Sequence, residues 1–413
     1  MVIPKEEVEK MVVETIIVGG SAAGLAVGAC LKKKQRRGKQ PSFIILEKEP
    51  KDVGVAVSWK NHYDRLRLHS DRRHSGLPHL PMSSSKYSKY PTKNQVISYM
   101  EDYAKHFDLV PRFGQQVKSI ERYNDDDDDS TSSSPSKLYR WRVTTTTNQV
   151  YVASNVVVAT GNARIPHRPT PPWPGQDKYE GRIIHTSSYK NGKLFVGKRV
   201  IVVGFGNSAG EIAVDLVEHG AGEVSMSVRD AVNVIPRDIL GISILAVGTF
   251  MSYLPPWFAD LLAIPLLWLT IGNLSKYGLR SLPYGPNVQI RKYSKVPMID
   301  VGVLETIKRG KINVLPGIKS FRGGKSIEFV DGTNKEFDLV ILGTGYKPAV
   351  NEFLHAPLTA NSDGSPLESG CEIIPGLYYC GFYVSQIGML QQINVEAELI
   401  SASIADGSSV MTR

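Results

Sequence analysis

Two short glycine turns predict an α/β chain with two Rossmann-type dinucleotide-binding domains. Each turn lies between an apolar, β-branched strand and a helix, and each unit closes with a second strand that ends in a charged residue. The first unit runs through Met11–Val18, the turn Gly19-Gly20-Ser21-Ala22-Ala23-Gly24, the small-residue helix Leu25–Leu31 and the strand Ser42–Leu46, then Glu47. The second runs through Lys198–Val203, the turn Gly204-Phe205-Gly206-Asn207-Ser208-Ala209-Gly210, the helix Glu211–Glu218 and the strand Glu223–Val228, then Arg229. The second unit is expected as an insertion at 190–330 into a discontinuous first domain, 1–189 and 331–413. Both should be doubly wound, with the working site in the cleft between them.

Composition agrees with this. A chain of 413 residues has room for two or three domains. Hydrophobic and charged contents of 42% and 22% are those of an ordinary globular protein, which excludes collagen and wholesale disorder. Three cysteines, Cys30, Cys371 and Cys380, cannot make a disulfide framework, and no CxxC pair exists. A dithiol redox site and a four-cysteine zinc site are therefore not expected, and no metal site is indicated. This cysteine usage fits a reducing compartment. Net charge is +9, with a cluster at Lys32-Lys33-Lys34-Gln35-Arg36-Arg37. The cluster follows a helix, where cations complement the macrodipole, and nothing else points to nucleic acid. The charged segment Met1 to Met11 lacks the apolar core of a signal peptide.

Further elements follow in order. Residues 92–107 read as an amphipathic helix opened by a Thr92/Gln95 capping box, with Val96, Met100, Tyr103 and Phe107 on one face. Residues 124–137 are acidic and serine-rich and read as a flexible loop. Val143–Thr147 and Val150–Val152 read as hairpin strands, and Asn155–Ala159 as a separate buried strand before Thr160-Gly161. The apolar stretch 239–273 is interrupted by Pro255-Pro256 and Asp260. It reads first as a buried or pocket-lining helix pair, second as a surface touching a membrane, and third as a span. Phe337–Leu342 and Leu377–Cys380 read as strands, and Asn394–Ala405 as the closing helix.

A glycine turn at a helix N-terminus holds a pyrophosphate, because backbone N–H groups and the helix dipole face the anion. The first turn carries Ser21 where the middle glycine would allow close approach. A serine there is expected to strain binding without excluding it. Glu47 stands where a carboxylate accepts both ribose hydroxyls, which favours the unphosphorylated ribose of FAD or NAD. In the second unit Arg229 suits a 2′-phosphate, and Ala209 is an allowed third position, so NADPH is expected. FAD and NADPH together describe a flavoprotein drawing hydride from nicotinamide. Without a cysteine pair as acceptor, oxygen is the simplest one.

Between the two turns stands Tyr179-Glu180-Gly181-Arg182-Ile183-Ile184-His185-Thr186-Ser187-Ser188-Tyr189, of pattern aromatic-x-Gly-x₃-His-x₃-aromatic. With it the chain resembles the flavin-containing monooxygenases and their Baeyer–Villiger relatives. Thr160-Gly161 and Gly343-Thr344-Gly345-Tyr346 are similar to the two Ala-Thr-Gly linkers of that class, with Gly343 in place of the second alanine. Ser58-Trp59-Lys60, the stretch Tyr63–His69, Leu77-Pro78, Tyr90-Pro91-Thr92-Lys93, Val228-Arg229-Asp230, Asp300-Val301-Gly302 and Lys311-Ile312 narrow the resemblance to the plant YUCCA-type enzymes. The chain departs from that group at Ser21, at Ser70-Asp71-Arg72 after His69, and at Gly388-Met389-Leu390-Gln391-Gln392.

The resemblance implies oxidative decarboxylation of an aromatic 2-oxo acid, such as indole-3-pyruvate to indole-3-acetate in auxin biosynthesis, through a C4a-peroxyflavin. It implies FAD at Gly19, Ser21, Gly24 and Glu47, with Trp59, Lys93, Thr160, Gly161, Thr344 and Gly345 around it. It implies NADPH at Gly204, Gly206, Asn207, Ser208 and Arg229. His69 and Asn207 are the candidates nearest the reaction; His69 reads either as a hydrogen-bonding partner of flavin or NADP⁺ or as a satisfied structural histidine. His185 reads as structural. The expected partners are a small-molecule substrate and molecular oxygen, not nucleic acid. Membrane contact through 239–273 would place a cytoplasmic protein at the cytosolic face of the endoplasmic reticulum. Rival readings are an N- or S-oxygenase with the same cofactors and a nucleotide-binding regulatory protein without turnover. The oligomeric state is not readable from the sequence.

Overall fold

The structure is a computed structural model that describes residues 10–34, 40–123, 140–356 and 359–407. The expected loop 124–137 and the Gln35-Arg36-Arg37 part of the basic cluster lie outside the described residues.

The first sheet is built on β1 (Lys10–Val18), whose apolar C-terminal half is fully buried. Helix α1 (Ala22–Lys33) follows it and is buried from Ala22 to Leu31, as an all-small, all-apolar helix between a sheet and other helices must be. Its last turn carries Lys32 and Lys33, and Lys32 Nζ donates to the Asp108 carbonyl at 2.5 Å. β2 (Phe43–Leu46) runs parallel to β1. A single helical turn, α2 (Val57–Lys60), precedes α3 (Lys93–His106), which opens with the complete Thr92/Gln95 capping box.

β3 (Val117–Arg122) and β4 (Trp141–Thr145) form a hairpin-like pair that continues onto β5 (Val150–Val158). β5 is one nine-residue strand, not the two expected over 150–152 and 155–159. Its first half is antiparallel to β4 while nearly its whole length is parallel to β1. Ser154-Asn155 looked like a break, but Asn155 is in register with Thr15 and its Nδ2 reaches the Glu14 carbonyl at 3.4 Å. The sheet is completed by Leu377–Tyr379, parallel to β5, and then Glu372–Ile374.

The second sheet is wholly parallel, in the order Asn313–Leu315, Glu223–Ser227, Arg199–Val203, Leu339–Leu342, Arg182–His185. α4 (Asn207–Glu218) packs on it. The strands Arg182–His185 and Leu339–Leu342 lie outside 190–330, so this sheet reaches beyond the limits expected for the inserted domain. The reason is physical: the segments entering and leaving the insertion pair directly with its central strands, and so become part of the sheet they lead to.

Residues 239–273 form α5 (Ile244–Met251) and α6 (Pro256–Thr270), followed by α7 (Pro286–Tyr293) and α8 (Val303–Lys308). α5 has no buried residue and α6 buries only Ala259 and Asp260, so of the expected buried or pocket-lining pair the structure shows the pocket-lining form. One side lines a cavity; the other exposes Phe250, Trp257, Leu261, Trp268 and Leu269. No helix among the described residues is long and apolar enough to cross a membrane. α9 (Met389–Asp406) closes the chain against α1, and starts five residues earlier than expected.

Candidate active site

The first turn is held by close backbone contact. Gly19 has φ +114°, and a Cβ there would lie 2.6 Å from the Ala159 carbonyl oxygen. A Cβ on Gly24 would lie 1.9 Å from the Gly19 carbonyl oxygen, so α1 cannot sit where it does with any other residue at that position. Ser21 is the N-cap of α1 at φ −105° and ψ −159°, ordinary extended backbone that demands no glycine. The backbone at Ser21 is thus unstrained, whereas the strain expected there concerns the approach of a pyrophosphate past its side chain. Its Oγ shares a hydrogen bond with Ser58 Oγ at 3.0 Å. Glu47 is buried at 7% exposure; Oε2 accepts from the Gly20 N–H at 2.7 Å and Oε1 from the Glu49 N–H at 3.1 Å. Thr160 adjoins Gly19, and its Oγ1 is sealed from solvent without a hydrogen-bond partner. Gly161, at φ +72°, has open space beside it. A narrow glycine cradle, a fixed carboxylate and an orphaned hydroxyl are what a bound dinucleotide would satisfy.

The second turn repeats the geometry with different residues. Gly204 has φ +108°, and its Cβ would meet the Gly343 carbonyl oxygen at 2.6 Å. Gly206 faces open space. Asn207 Oδ1 accepts from the Ile299 N–H at 2.7 Å, which turns its amide NH₂ away from that strand. The Arg229 side chain is 84% exposed and pairs with its neighbour Asp230 at 3.0 Å.

The linkers join the two units. His185 is buried; its Nδ1 accepts from the Ser187 N–H at 3.1 Å, which leaves Nε2 as the protonated nitrogen, 3.0 Å from the Gly345 carbonyl. Burial pushes its pKa down. This neutral, doubly satisfied ring holds the linker and is not placed to transfer protons. Gly345 takes φ +81°, and Thr344 Oγ1 donates to the His167 carbonyl.

Trp59 packs half-buried against the first core, and its ring lies 6.0 Å from that of His62. Lys93, expected beside a flavin, donates to Asp64 Oδ1 at 2.7 Å and to the His62 carbonyl at 3.1 Å. Those hydrogen bonds hold the Asp64 carboxyl below its usual range. Lys93 is a cation already neutralised, because the N-terminus of α3 brings it over Asp64.

His69 stands where two cavities meet. One, of about 300 Å³, is apolar: Ile239, Leu245, Met251, Leu266, Leu267 and Met389 lie on its wall with Asn207, and none of its lining residues is Lys, Arg, Asp or Glu. The other, of about 410 Å³, is lined by Arg65, Arg67, Arg237, Asp64 and Glu211. His69 Nε2 lies 2.6 Å from Glu211 Oε1, and Glu211 is buried. Tyr63 sits beside Ser208 and Glu211, its hydroxyl pKa pushed up by burial and by that carboxylate.

The altered segment at Ser70-Asp71-Arg72 forms a turn tied to the Lys89 carbonyl by the Arg72 N–H, with Ser70 on the wall of the apolar cavity. Asp71 Oδ1 accepts from the Arg73 N–H at 2.8 Å and Oδ2 pairs with His74 Nδ1 at 2.9 Å. The altered segment at Gly388-Met389 lies on the apolar cavity itself.

Sequence reasoning missed Glu211, Tyr63, Asn287 and Gln386. Glu211 had one signal: a carboxylate one turn into an otherwise small and apolar helix, where burial needs a partner. Asn287 and Gln386 had none.

Two Rossmann-type sheets, two glycine cradles and paired cavities between them define a two-dinucleotide oxidoreductase. The flavin-binding monooxygenase-like family model matches residues 61–365. The chain is 39% identical, over 89% of its length and 81% of the relative's, to the probable indole-3-pyruvate monooxygenase YUCCA3 of Arabidopsis thaliana. In structure it is similar to the flavin-containing monooxygenase of Stenotrophomonas maltophilia, with TM-score 0.69, 19% identity, and 96% and 99% of the two chains covered. It is similar also to the cyclohexanone monooxygenase of Rhodococcus sp. Phi1 bound to NADP⁺, with TM-score 0.67, 18% identity, and 97% and 85% covered. The chain belongs to the flavin-binding monooxygenase-like family, in its YUCCA-type branch. It is a flavin-dependent monooxygenase that works on a small molecule and oxygen.

Proposed function

We propose that the protein oxidatively decarboxylates an aromatic 2-oxo acid, indole-3-pyruvate, to the auxin indole-3-acetate, with FAD as the flavin. The observation that carries this reading is the meeting of an apolar and an arginine-bearing cavity at His69. An aryl ring suits the first, and a carboxylate suits Arg65, Arg67 or Arg237 in the second. FAD would be held by the Gly19–Gly24 turn, Ser21, Glu47, Thr160 and Gly161, with Trp59, Lys93, Thr344 and Gly345 behind it. NADPH would be held by Gly204, Gly206, Asn207 and Ser208, with Arg229 swinging from Asp230 to the 2′-phosphate.

When bound, the flavin supplies the reductive activation of oxygen, using hydride from NADPH. The chain's residues bind, orient and exclude water. The Ile299 N–H fixes Asn207 with its amide NH₂ toward the reacting face. Glu211 fixes the His69 ring between the two cavities. The Leu and Met wall keeps water from the reacting atoms, which suppresses wasteful hydrolysis. The same reading keeps contact of 239–273 with the cytosolic face of a membrane, supported by exposed Trp257, Trp268 and Leu269; flotation with phosphatidylcholine vesicles tests it.

The main test uses purified protein. A bound-FAD spectrum, NADPH consumption with indole-3-pyruvate and formation of one indole-3-acetate per NADPH are expected. Oxygenation of amines or sulfides with no conversion of the oxo acid would overturn the substrate. Peroxide release in place of product would overturn the coupling.

A further inference from the structure

The apolar cavity has one polar wall, and it is built by residues that no nucleotide site uses. Asp260 of α6 is 4% exposed and faces the start of α7. Its Oδ1 accepts from the Asn287 backbone N–H at 2.8 Å and from Asn287 Nδ2 at 2.9 Å, and Oδ2 accepts from the Val288 N–H at 3.0 Å. Gly285 makes this possible, since a Cβ there would lie 2.4 Å from the Asp260 carboxyl carbon. Asn287 Oδ1 in turn accepts from Gln386 Nε2 at 2.6 Å.

This chain has a direction. Asp260 accepts at both oxygens, so the Asn287 amide must turn its NH₂ toward Asp260 and its oxygen toward Gln386. Gln386 must then turn its NH₂ toward Asn287. Its Oε1 has no hydrogen-bond partner among the described residues, Gln386 lines the cavity, and a flip would set oxygen against oxygen. The backbone of Gln386 is fixed as well: α5 approaches so closely at Gly248 that a Cβ there would lie 2.8 Å from the Gln386 carbonyl oxygen. Gln386 and Asn287 are each 7% exposed. The acceptor is therefore held in one orientation in a mostly apolar cavity, whose other polar lining residues are His69, Ser70, Asn207, Asn287 and Ser385.

We infer that Gln386 is a specificity-determining residue, whose Oε1 accepts a hydrogen bond from an N–H or O–H on the substrate's aromatic ring, with Asp260 and Asn287 as positioning residues. It rests on the reading above that this cavity takes the ring, and it deepens that reading. A ring carrying a donor, such as indole, satisfies the acceptor. A ring of the same shape without one leaves a buried acceptor unpaired, and a site built to hydrogen-bond its ligand rejects such an analogue far more strongly than a missing methylene.

The test compares binding of two neutral probes, indole and 1-benzothiophene, to the flavin-loaded, NADP⁺-bound enzyme by calorimetry. Wild type is expected to prefer indole by about tenfold or more. Gln386→Met, and Gln386→Ala as a second variant with more room, should bring the preference below about threefold while flavin content and NADP⁺ affinity stay as in wild type. Equal binding of the two probes by wild type would overturn the inference. So would a preference that survives both substitutions, or a loss that appears only as weakened NADP⁺ binding. No turnover is needed: an enzyme that ignores indole-3-pyruvate yet loses its ring preference with Gln386 would fail the proposed reaction and keep this role.

Discussion

The two glycine turns place their tightest contacts differently. In the first, Gly24 must lack a Cβ because the Gly19 carbonyl oxygen lies where it would stand; in the second, Ala209 carries a Cβ and the linker makes room with Gly343. A Cβ on Gly343 would lie 2.7 Å from Ala209 Cβ and 2.9 Å from the Val203 carbonyl oxygen. Gly343 is thus the complement of Ala209, where the sequence showed only a departure from an Ala-Thr-Gly pattern. Their strand ends differ in the same spirit. Glu47 is buried and fixed by two backbone N–H groups, whereas Arg229 lies in solvent beside Asp230. The strand-end residue of the first unit is fixed by the chain itself; that of the second stands in solvent. A tightly kept cofactor suits the one and an exchanging one suits the other.

Five substitutions break or sharpen this comparison. Gly24→Ala should be the most damaging, since the new Cβ meets a backbone oxygen at 1.9 Å. A loss on the order of 3 kcal/mol or more, with loss of bound flavin, is expected by thermal melting and absorbance. Gly343→Ala should cost about 1–3 kcal/mol through its contact with Ala209. Adding Ala209→Gly should recover part of that in a double-mutant cycle, and additive losses would show that the pair is not complementary. Arg229→Ala should leave the melting temperature nearly unchanged, within about 0.5 kcal/mol. It should lower the preference for NADPH over NADH about tenfold or more, read from the two KM values. Ser21→Gly should do least, because φ −105° holds no strain to release. A change in flavin affinity above about fivefold would mean that the Ser21–Ser58 hydrogen bond matters more than the backbone does.

The exposed and buried sides of residues 239–273 carry a related lesson. Hydropathy alone left the stretch readable as a buried or a pocket-lining pair. Yet α5 and α6 form a one-layer wall, with the cavity on one side and Trp257, Trp268 and Leu269 on the other. Apolar composition could not tell a wall from a core, because both faces of a wall that bounds an apolar cavity can be apolar.

What the sequence determined by itself was everything encoded in contiguous runs. The two strand–turn–helix units, the Thr92/Gln95 capping box, the placing of Glu47 and Arg229 at strand ends and the family resemblance of 179–189 all depend on residues a few positions apart. Local backbone sterics and hydrogen bonding specify such features, so they are legible without a fold. What only the tertiary structure decided was which distant side chains share a site. Glu211 meets His69 across 142 positions, and Gln386 meets Asn287 across 99. The continuous strand β5, Lys93 neutralised by Asp64, the fit of Gly343 to Ala209 and the aim of the Gln386 oxygen belong to this second kind. Each depends on segments brought together by the burial of two sheets, and close packing and desolvation at such contacts leave no periodicity in the chain to read.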